Sequence, residues 1–373
     1  MAKDYLTWFK DLDARLSKSR GVHSLISSNV SEPLEMLEGL IRENAGELKR
    51  FQSHNNDWGH PVLKERVARR YGIKPENILL TNGCTNANFL AISTLVKPGN
   101  AVVCERPSYQ PMWQAALLAG AQVRWLRRRP PDYGADPDEL ARLVDRRTSL
   151  VLLTNLHNPS GAAMDDTALR EIVRAVRRRN PGARILVDEV FRDFVPGRRK
   201  PACTVDPLFI STGSLSKVYG LSHLECGWIV ADRRTIDRVM PLFVLAEGNG
   251  SRYLESLSAL VFSRLDEYLE RSMRIIEANR RALRRAMRPL VSSGLIDQPV
   301  PETGCIWFPK LRGMRDAAPF CGHAARHHRV HVVPGSFFGD RSRFRVGFGG
   351  EPDIFAAAAK HLAESISCYQ RQL

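Results

Sequence analysis

From Pro75 onward the chain alternates short apolar runs with longer segments whose apolar residues recur at spacings of three and four. ILLTNG, AVVCE, QVRWL, SLVLLTN, RILVDEV, PLFISTGS and CGWIVAD have the length of strands. Several are unbroken β-branched or leucine runs without polar alternation, the pattern of strands covered on both faces. Between them, 86–95, 111–118 and 166–178 read as helices. The alternation predicts an α/β fold with a mainly parallel sheet wrapped by helices, in which ligands bind beyond the carboxyl ends of the strands.

The flanks follow other patterns. A helix is expected over Tyr5–Leu16, then an extended piece ending in SLISSNVSEP, then a helix from Pro33 that buries Leu34, Met36, Leu37, Leu40 and Ile41. FQSHNNDWGH reads as a polar loop ahead of a helix with Val62, Leu63, Val67 and Tyr71 on one side. Residues 234–290 read as long helices, most clearly in LESLSALVFSRLDEYLERSMRIIEANRRALRRAM. After residue 295 come the strand-like pieces GCIWFPKL, VHVVPG and FRVGFG and a closing helix over 353–367. The expected division is an arm and part of a smaller domain in 1–46, a large domain in 47–285, and a small α+β domain in 286–373. There is no internal repeat.

A chain of 373 residues with 43% hydrophobic and 25% charged positions is a globular protein, long enough for an enzyme. No apolar run approaches the ~18 residues of a membrane span, and MAKDYLTWFKDLDARL has no signal-peptide core, so a cytoplasmic protein is expected. The seven cysteines show no C-x-x-C pair and no His/Cys metal spacing, and read as reduced thiols with no metal. The net charge of +15 raises the question of nucleic acid. Its arginine pairs and triplets are scattered over the chain, several of them in helical-looking segments, and no recognition motif accompanies them, so no specific nucleic-acid partner is expected.

Candidate chemistry lies in the loops at the strand ends. Ser211–Trp228, STGSLSKVYGLSHLECGW, sets Ser214 and Ser216 beside Lys217, with Gly220 and Gly227 following. A lysine amine forms a Schiff base with a carbonyl, and neighbouring hydroxyls donate to phosphate, so the group suits a phosphorylated aldehyde such as pyridoxal phosphate. A surface lysine in a Ser/Gly loop is the plain alternative. TNGCTNANF places Gly83, Cys84 and Thr85 at a strand-to-helix turn, where backbone N–H groups face an anion. In ERPSYQPM, Tyr109 suits stacking on a planar heterocycle, or is a core aromatic. In TNLHNPSG, Asn158 can donate to a phenolate oxygen or close an Asx-turn. Asp188 ends an apolar strand, where a carboxylate needs a cationic partner, and a protonated pyridine nitrogen would serve. Arg345, in FRVGF, suits a two-pronged grip on a carboxylate or a structural ion pair.

In order and spacing, these residues resemble the class I/II aminotransferases, the aspartate-aminotransferase-like, fold-type I pyridoxal-phosphate enzymes. The resemblance runs from about Ser28 to the end and rests on HNPSG, DEVFRDF, SLSKVYGL, VVPGSFFG and the arginine of FRVGF. It implies a seven-stranded sheet in the large domain, a smaller domain built from both termini, and a homodimer with active sites at the subunit interface. It implies that Lys217 holds the cofactor as an imine and moves the proton between substrate Cα and cofactor. Asp188 would keep the pyridine nitrogen protonated, Tyr109 would stack on the ring and belongs with Lys217 and Asp188 among the catalytic residues, and Asn158 would bond the ring hydroxyl. Gly83, Cys84, Thr85, Ser214 and Ser216 would hold the phosphate, and Arg345, with Asn158 and Asn29 of SLISSNV, would meet the substrate. The implied reaction is transfer of an amino group from an α-amino acid to a 2-oxo acid.

The chain departs from the family at three places. Eight residues after Lys217 the family has a phosphate-binding arginine, and here stands Glu225. A carboxylate about 5 Å from a phosphate charge repels it by about 3 kcal/mol at an effective dielectric of about 20. Phe191 stands where the family pattern often has a tyrosine that shares the ring hydroxyl. His54 or a neighbour lies where a partner's tyrosine would reach the phosphate. Two further readings follow: another fate of the same carbanion (elimination, decarboxylation, oxidation), and a fold that has lost turnover, which the intact lysine opposes. Arg252 is either a contact to the distal end of a substrate or a surface arginine.

Overall fold

The computed structural model of the chain describes residues 4–53, 58–197 and 200–371. Helix α1 (Tyr5–Leu16) begins at Asp4, whose carboxylate accepts the Thr7 N–H at 3.0 Å. A short strand β1 (His23–Ser24) leads into α2 (Leu34–Glu43), α3 (Ala45–Gln52) and α4 (Pro61–Tyr71). Leu37 and Leu40 carry the buried face of α2, while Leu34, expected inside, is 51% exposed in its first turn. α3 runs to Gln52 and takes in Phe51 and Gln52, expected in a loop, because Leu48 and Phe51 bury a short apolar face.

The seven expected strands form one sheet: β2 (Ile78–Asn82), β3 (Ala101–Arg106), β4 (Gln122–Arg127), β5 (Thr148–Thr154), β6 (Arg184–Asp188), β7 (Phe209–Ser214) and β8 (Cys226–Val230), in the order β2-β8-β7-β6-β5-β3-β4. All neighbours are parallel except β8, which runs antiparallel to both β2 and β7. The connections carry α5 (Gly83–Leu95), α6 (Gln110–Leu118), α7 (Pro137–Leu143) and α8 (Asp166–Arg179). Alternate residues of β5 serve opposite layers. Leu150 and Leu152 pack with Ala87 and Ile92 of α5, whereas Val151 and Leu153 pack with Leu169 and Val173 of α8. Each such side chain contributes about 1.5–3 kcal/mol when fully buried, and this explains the absence of polar alternation. The edge strand β4 is mostly half-exposed, as its mixed composition requires.

After the sheet come α9 (Arg233–Glu247), α10 (Arg252–Phe262) and α11 (Leu265–Ser292), with a break at residues 263–264 inside the stretch that reads as continuous helix. The C-terminal layer holds β9 (Ile306–Trp307), α12 (Ala318–His328), β10 (Val330–His331), β11 (Val333–Pro334), β12 (Phe344–Gly347) and α13 (Pro352–Gln370). β11, β12 and β9 form an antiparallel sheet, and β1 pairs parallel with β10, so both chain ends build this smaller α+β unit. Two glycines make the junction possible. A Cβ on Gly347 would stand 1.6 Å from Ser27 O, and one on Gly349 would stand 2.1 Å from Asn29 O. The segment around residues 25–30 therefore lies directly against the strand that carries Arg345.

Candidate active site

The carboxyl ends of the parallel strands open into a cavity of about 690 Å³. Gly83, Cys84, Thr85, Tyr109, Asn158, Asp188, Ser216 and Lys217 line it, so a set spread over more than 130 residues of sequence meets at one place. Ser214 stands just behind, with its hydroxyl 2.6 Å from that of Ser216. Arg345 stands behind Asn158 and Tyr5.

Lys217 follows β7 in a turn whose backbone is tied down at both ends. Its carbonyl accepts the Val30 N–H at 3.0 Å, and Leu215 N–H donates to Cys226 O at 3.0 Å. Gly220 is required in this turn: its φ is +69°, and a Cβ would meet Ser31 O at 2.6 Å. The motif residues around it form a buried ion cluster. Tyr219 donates its hydroxyl to Asp193, which also pairs with Arg192 at 3.1 Å and Arg70 at 3.4 Å. That cluster couples the Lys217 turn to the segment after Asp188. Among the described residues the Lys217 amine has no acid partner in contact, and burial, reinforced by Arg345, lowers its pKa.

Asp188, at the end of β6, accepts from Asn88 Nδ2 at 2.8 Å, from Val190 N–H at 3.0 Å and from the Cys84 thiol at 3.4 Å. Asn88 is itself oriented by Thr212, whose hydroxyl donates to Asn88 Oδ1 at 2.7 Å. The sequence reading missed Asn88. Its signal is a polar residue on the otherwise apolar buried face of α5. Burial raises the Asp188 pKa against these bonds, and among the described residues no cation forms an ion pair with this carboxylate.

Asn158 is held by its own loop, where His157 bridges Ser160 Oγ at 2.6 Å and Pro107 O at 2.9 Å. Its Oδ1 accepts from Arg345 Nη1 at 3.1 Å, which turns the amide N–H₂ toward the cavity. Arg345 is fully buried, and its Nη2 donates to Tyr5 Oη and Ile26 O, each at 2.9 Å. Three of five N–H groups are thus used. Nε is without a partner, and no carboxylate of the described residues pairs with this guanidinium.

Helix α1 supplies Tyr5, Leu6, Phe9 and Lys10 to the cavity wall, none of which the sequence reading singled out. Their signal is the apolar face of α1, which reads as ordinary helix packing. Tyr5 meets the Tyr109 ring edge-on at 6.0 Å, and Tyr109 Oη lies 3.4 Å from Thr85 Oγ1. Burial raises the Tyr109 pKa, with Tyr5 adding to it.

At the opposite end, α5 begins at Gly83 (φ +79°) with no side-chain cap, which leaves its first-turn N–H groups open. Gly227 permits the approach of β8: a Cβ there would fall 2.4 Å from Gly83 C. Cys226 pairs with Asn82, so Glu225 stands one residue beyond, at this helix terminus. It is exposed, left-handed (φ 45°) and in the cavity wall, and no cation of the described residues pairs with it. Phe191 also lines the cavity, stacked on Phe194 at 6.4 Å, and offers no donor.

Asn29 does not reach the cavity. Its Oδ1 accepts from Ser27 Oγ and its Nδ2 donates to Val30 O at 3.1 Å, and Ser28 occupies the wall instead. Arg252 is exposed at the start of α10 and lines no part of the cavity. His54 lies outside the described residues.

These groups match pyridoxal phosphate end by end. Among the described residues Asp188 has no paired cation, which a pyridine N–H would supply, Lys217 is a half-buried amine without a counterion in contact, and Asn158, with its Oδ1 on Arg345, has its amide N–H₂ left to donate. The open turn of α5 with the Ser214–Ser216 pair suits a phosphate. Glu225 in the cavity wall opposes it, as does Glu247, which accepts the Asn82 N–H at 3.1 Å at the start of α5.

Residues 33–362 match the family model for aminotransferase class I and II. Capreomycidine synthase of Streptomyces vinaceus is 32% identical over 295 residues, which span 78% of this chain and 75% of that protein. A solved pyridoxal-phosphate-dependent aminotransferase from Streptococcus suis superposes with a TM-score of 0.87 at 26% identity, covering 99% of each chain. The pyridoxal-phosphate-dependent cyclase OrfR superposes with a TM-score of 0.84 at 25% identity, covering 97% of this chain and 96% of its own.

Proposed function

We propose a reaction from one premise: the chain belongs to the aminotransferase class I and II family, and its cofactor is pyridoxal phosphate. The reaction is transfer of an amino group from an α-amino acid to a 2-oxo acid. The observation that carries it is that Lys217, half-buried in the cavity wall, and the buried Arg345, bonded to Asn158, have no acid partner in contact among the described residues. One suits an amine chemistry and the other a substrate carboxylate.

When bound, the cofactor supplies a carbonyl that condenses with amines and a ring that accepts an electron pair from the substrate carbon. The protein's part is positioning and proton transfer. Lys217 Nζ, whose pKa is lowered by desolvation, would serve as the base that moves a proton between substrate Cα and the cofactor's aldehyde carbon. Asp188 would hold a proton on the ring nitrogen by pairing with it, and Asn88 and Cys84 keep its carboxylate in place. Asn158 Nδ2 would donate to the ring oxygen while its Oδ1 stays on Arg345, which would link cofactor position to substrate binding. Arg345 takes the α-carboxylate with its unpaired N–H groups.

Tyr5 Oη sits on Arg345 where a carboxylate oxygen would compete. Tyr5→Phe keeps the ring packing and removes that acceptor, so KM for the amino donor falls by about threefold to tenfold with kcat nearly unchanged, as expected for one hydrogen bond. An unchanged KM in steady-state assays would show that the hydroxyl does not compete.

Glu225→Arg replaces repulsion by attraction at the phosphate end. The cofactor dissociation constant is expected to fall at least about tenfold, less than the full Coulomb energy because the position is exposed. Equal or weaker cofactor binding by fluorescence titration contradicts the placement of Glu225 beside the phosphate.

A second reading, another fate of the same carbanion, draws support from the likeness to capreomycidine synthase and to a cyclase. Product analysis without any 2-oxo acid separates the two. Amino transfer stops after one equivalent of oxo acid per site, whereas elimination or ring closure continues to turn over. Continued turnover overturns the proposal.

The assembly we propose is a homodimer, supported by exposed apolar side chains beside the cavity mouth: Phe89 and Leu118 in its wall, Leu245 on the adjoining α9. The domain division at about residues 46 and 285 keeps the large sheet in one unit. A cytoplasmic location fits seven reduced cysteines, and among the described residues no helix is long and apolar enough to cross a membrane.

A further inference from the structure

The C-terminal layer brings together side chains that the sequence keeps forty residues apart. α12 carries His323 and ends in His327 and His328, and the last turns of α13 carry Cys368 and Tyr369. Ligand atoms of His323, His328 and Cys368 all lie within 4.8 Å of one another. His323 is 6% exposed, and its Nε2 is buried with no hydrogen-bond partner. An unsatisfied buried nitrogen costs about 1–3 kcal/mol, so this ring nitrogen calls for a partner. The rings of His327 and Tyr369 stand at 4.8 and 5.3 Å from that of His323 and wall the group in.

We propose that His323, His328 and Cys368 bind one borderline-soft divalent transition ion, best matched by Zn²⁺, at the junction of α12 and α13. The set of two imidazoles and one thiol selects the ion. It contains no carboxylate, which disfavours Ca²⁺ and Mg²⁺, and a thiolate with imidazoles suits Zn²⁺ or Co²⁺. In a tetrahedral site with metal–nitrogen and metal–sulfur bonds of about 2.1 and 2.3 Å the ligand atoms lie about 3.5 Å apart. The adjustment falls to side chains at two helix ends. Binding replaces the Cys368 thiol proton, which leaves to solvent, and both imidazoles give a lone pair in their neutral form. Three protein ligands leave a fourth position for water or for His327. None of the residues lining the active-site cavity belongs to α12 or α13, so the ion acts as a fastener of the smaller unit. It stabilises the folded chain by mass action.

The test uses the untagged, cofactor-loaded protein titrated with Co²⁺, read by ligand-field absorption at wavelengths beyond the cofactor band. One ion per chain is expected, displaced by Zn²⁺, with affinity lowered at least tenfold in Cys368→Ser and in His328→Ala. Both positions are half-buried and outside the active-site cavity, and unchanged circular dichroism and cofactor loading of each variant check its fold. Absence of the ligand-field band, or equal Co²⁺ affinity in both variants, overturns the site.

Discussion

Lys217→Ala abolishes the visible absorption of the bound cofactor's lysine adduct and lowers turnover by at least about 10⁴-fold, the upper range for a lost acid–base group, with loss of the covalent anchor in addition. The size of the effect follows from the absence of a substitute. The cavity wall contains one other amine, Lys10 on α1, and that side chain is exposed at the mouth. Lys217 is half-buried in the cavity wall, has no acid partner in contact among the described residues, and its pKa is lowered by desolvation with Arg345 adding to it. Lys10→Ala therefore keeps the band and most of the activity. A Lys217→Ala protein that retains turnover, or a Lys10→Ala protein that loses the band, would reverse the assignment.

Asp188→Asn lowers turnover by about 10²–10³-fold, the range for removing one preorganised electrostatic partner of a developing charge. The amide cannot hold a proton on the ring nitrogen through a charge pair. It also cannot satisfy its neighbours. Val190 N–H and Asn88 Nδ2 each donate to a different carboxylate oxygen, and an amide offers one oxygen, so one donor is orphaned at about 1–3 kcal/mol. Some loss of thermal stability accompanies the kinetic effect, and circular dichroism separates it from unfolding. A decrease smaller than about tenfold in correctly folded protein argues that the ring nitrogen is held by something else.

The sheet was legible because its strands are buried on both faces, and continuous apolar runs such as SLVLLTN have no other economical reading. Strand order was not. β8 inserts between β2 and β7, a pairing that no local pattern encodes. The chemistry at strand ends was legible where a charged residue interrupts an apolar run, as at Asp188 and Arg345. It was not legible where function hides in ordinary helical patterning. Tyr5 on α1 and Asn88 in α5 read as packing residues until the fold brings them to Arg345 and Asp188. Asn29 shows the reverse error, since a polar side chain near the site satisfies itself within its own turn. Spacing rules likewise see no metal ligands in this chain, because His323, His328 and Cys368 meet only across two helices. Leu34 turned outward because the first turn of α2 lies beyond the apolar surface that Leu37 and Leu40 reach.

The most direct test of the account is borohydride reduction of the cofactor-loaded protein followed by peptide mapping. The prediction is a single pyridoxyl modification on the peptide containing Lys217, lost when an amino-acid substrate is added before reduction. A modification on Lys10 or elsewhere, or none at all, would contradict it.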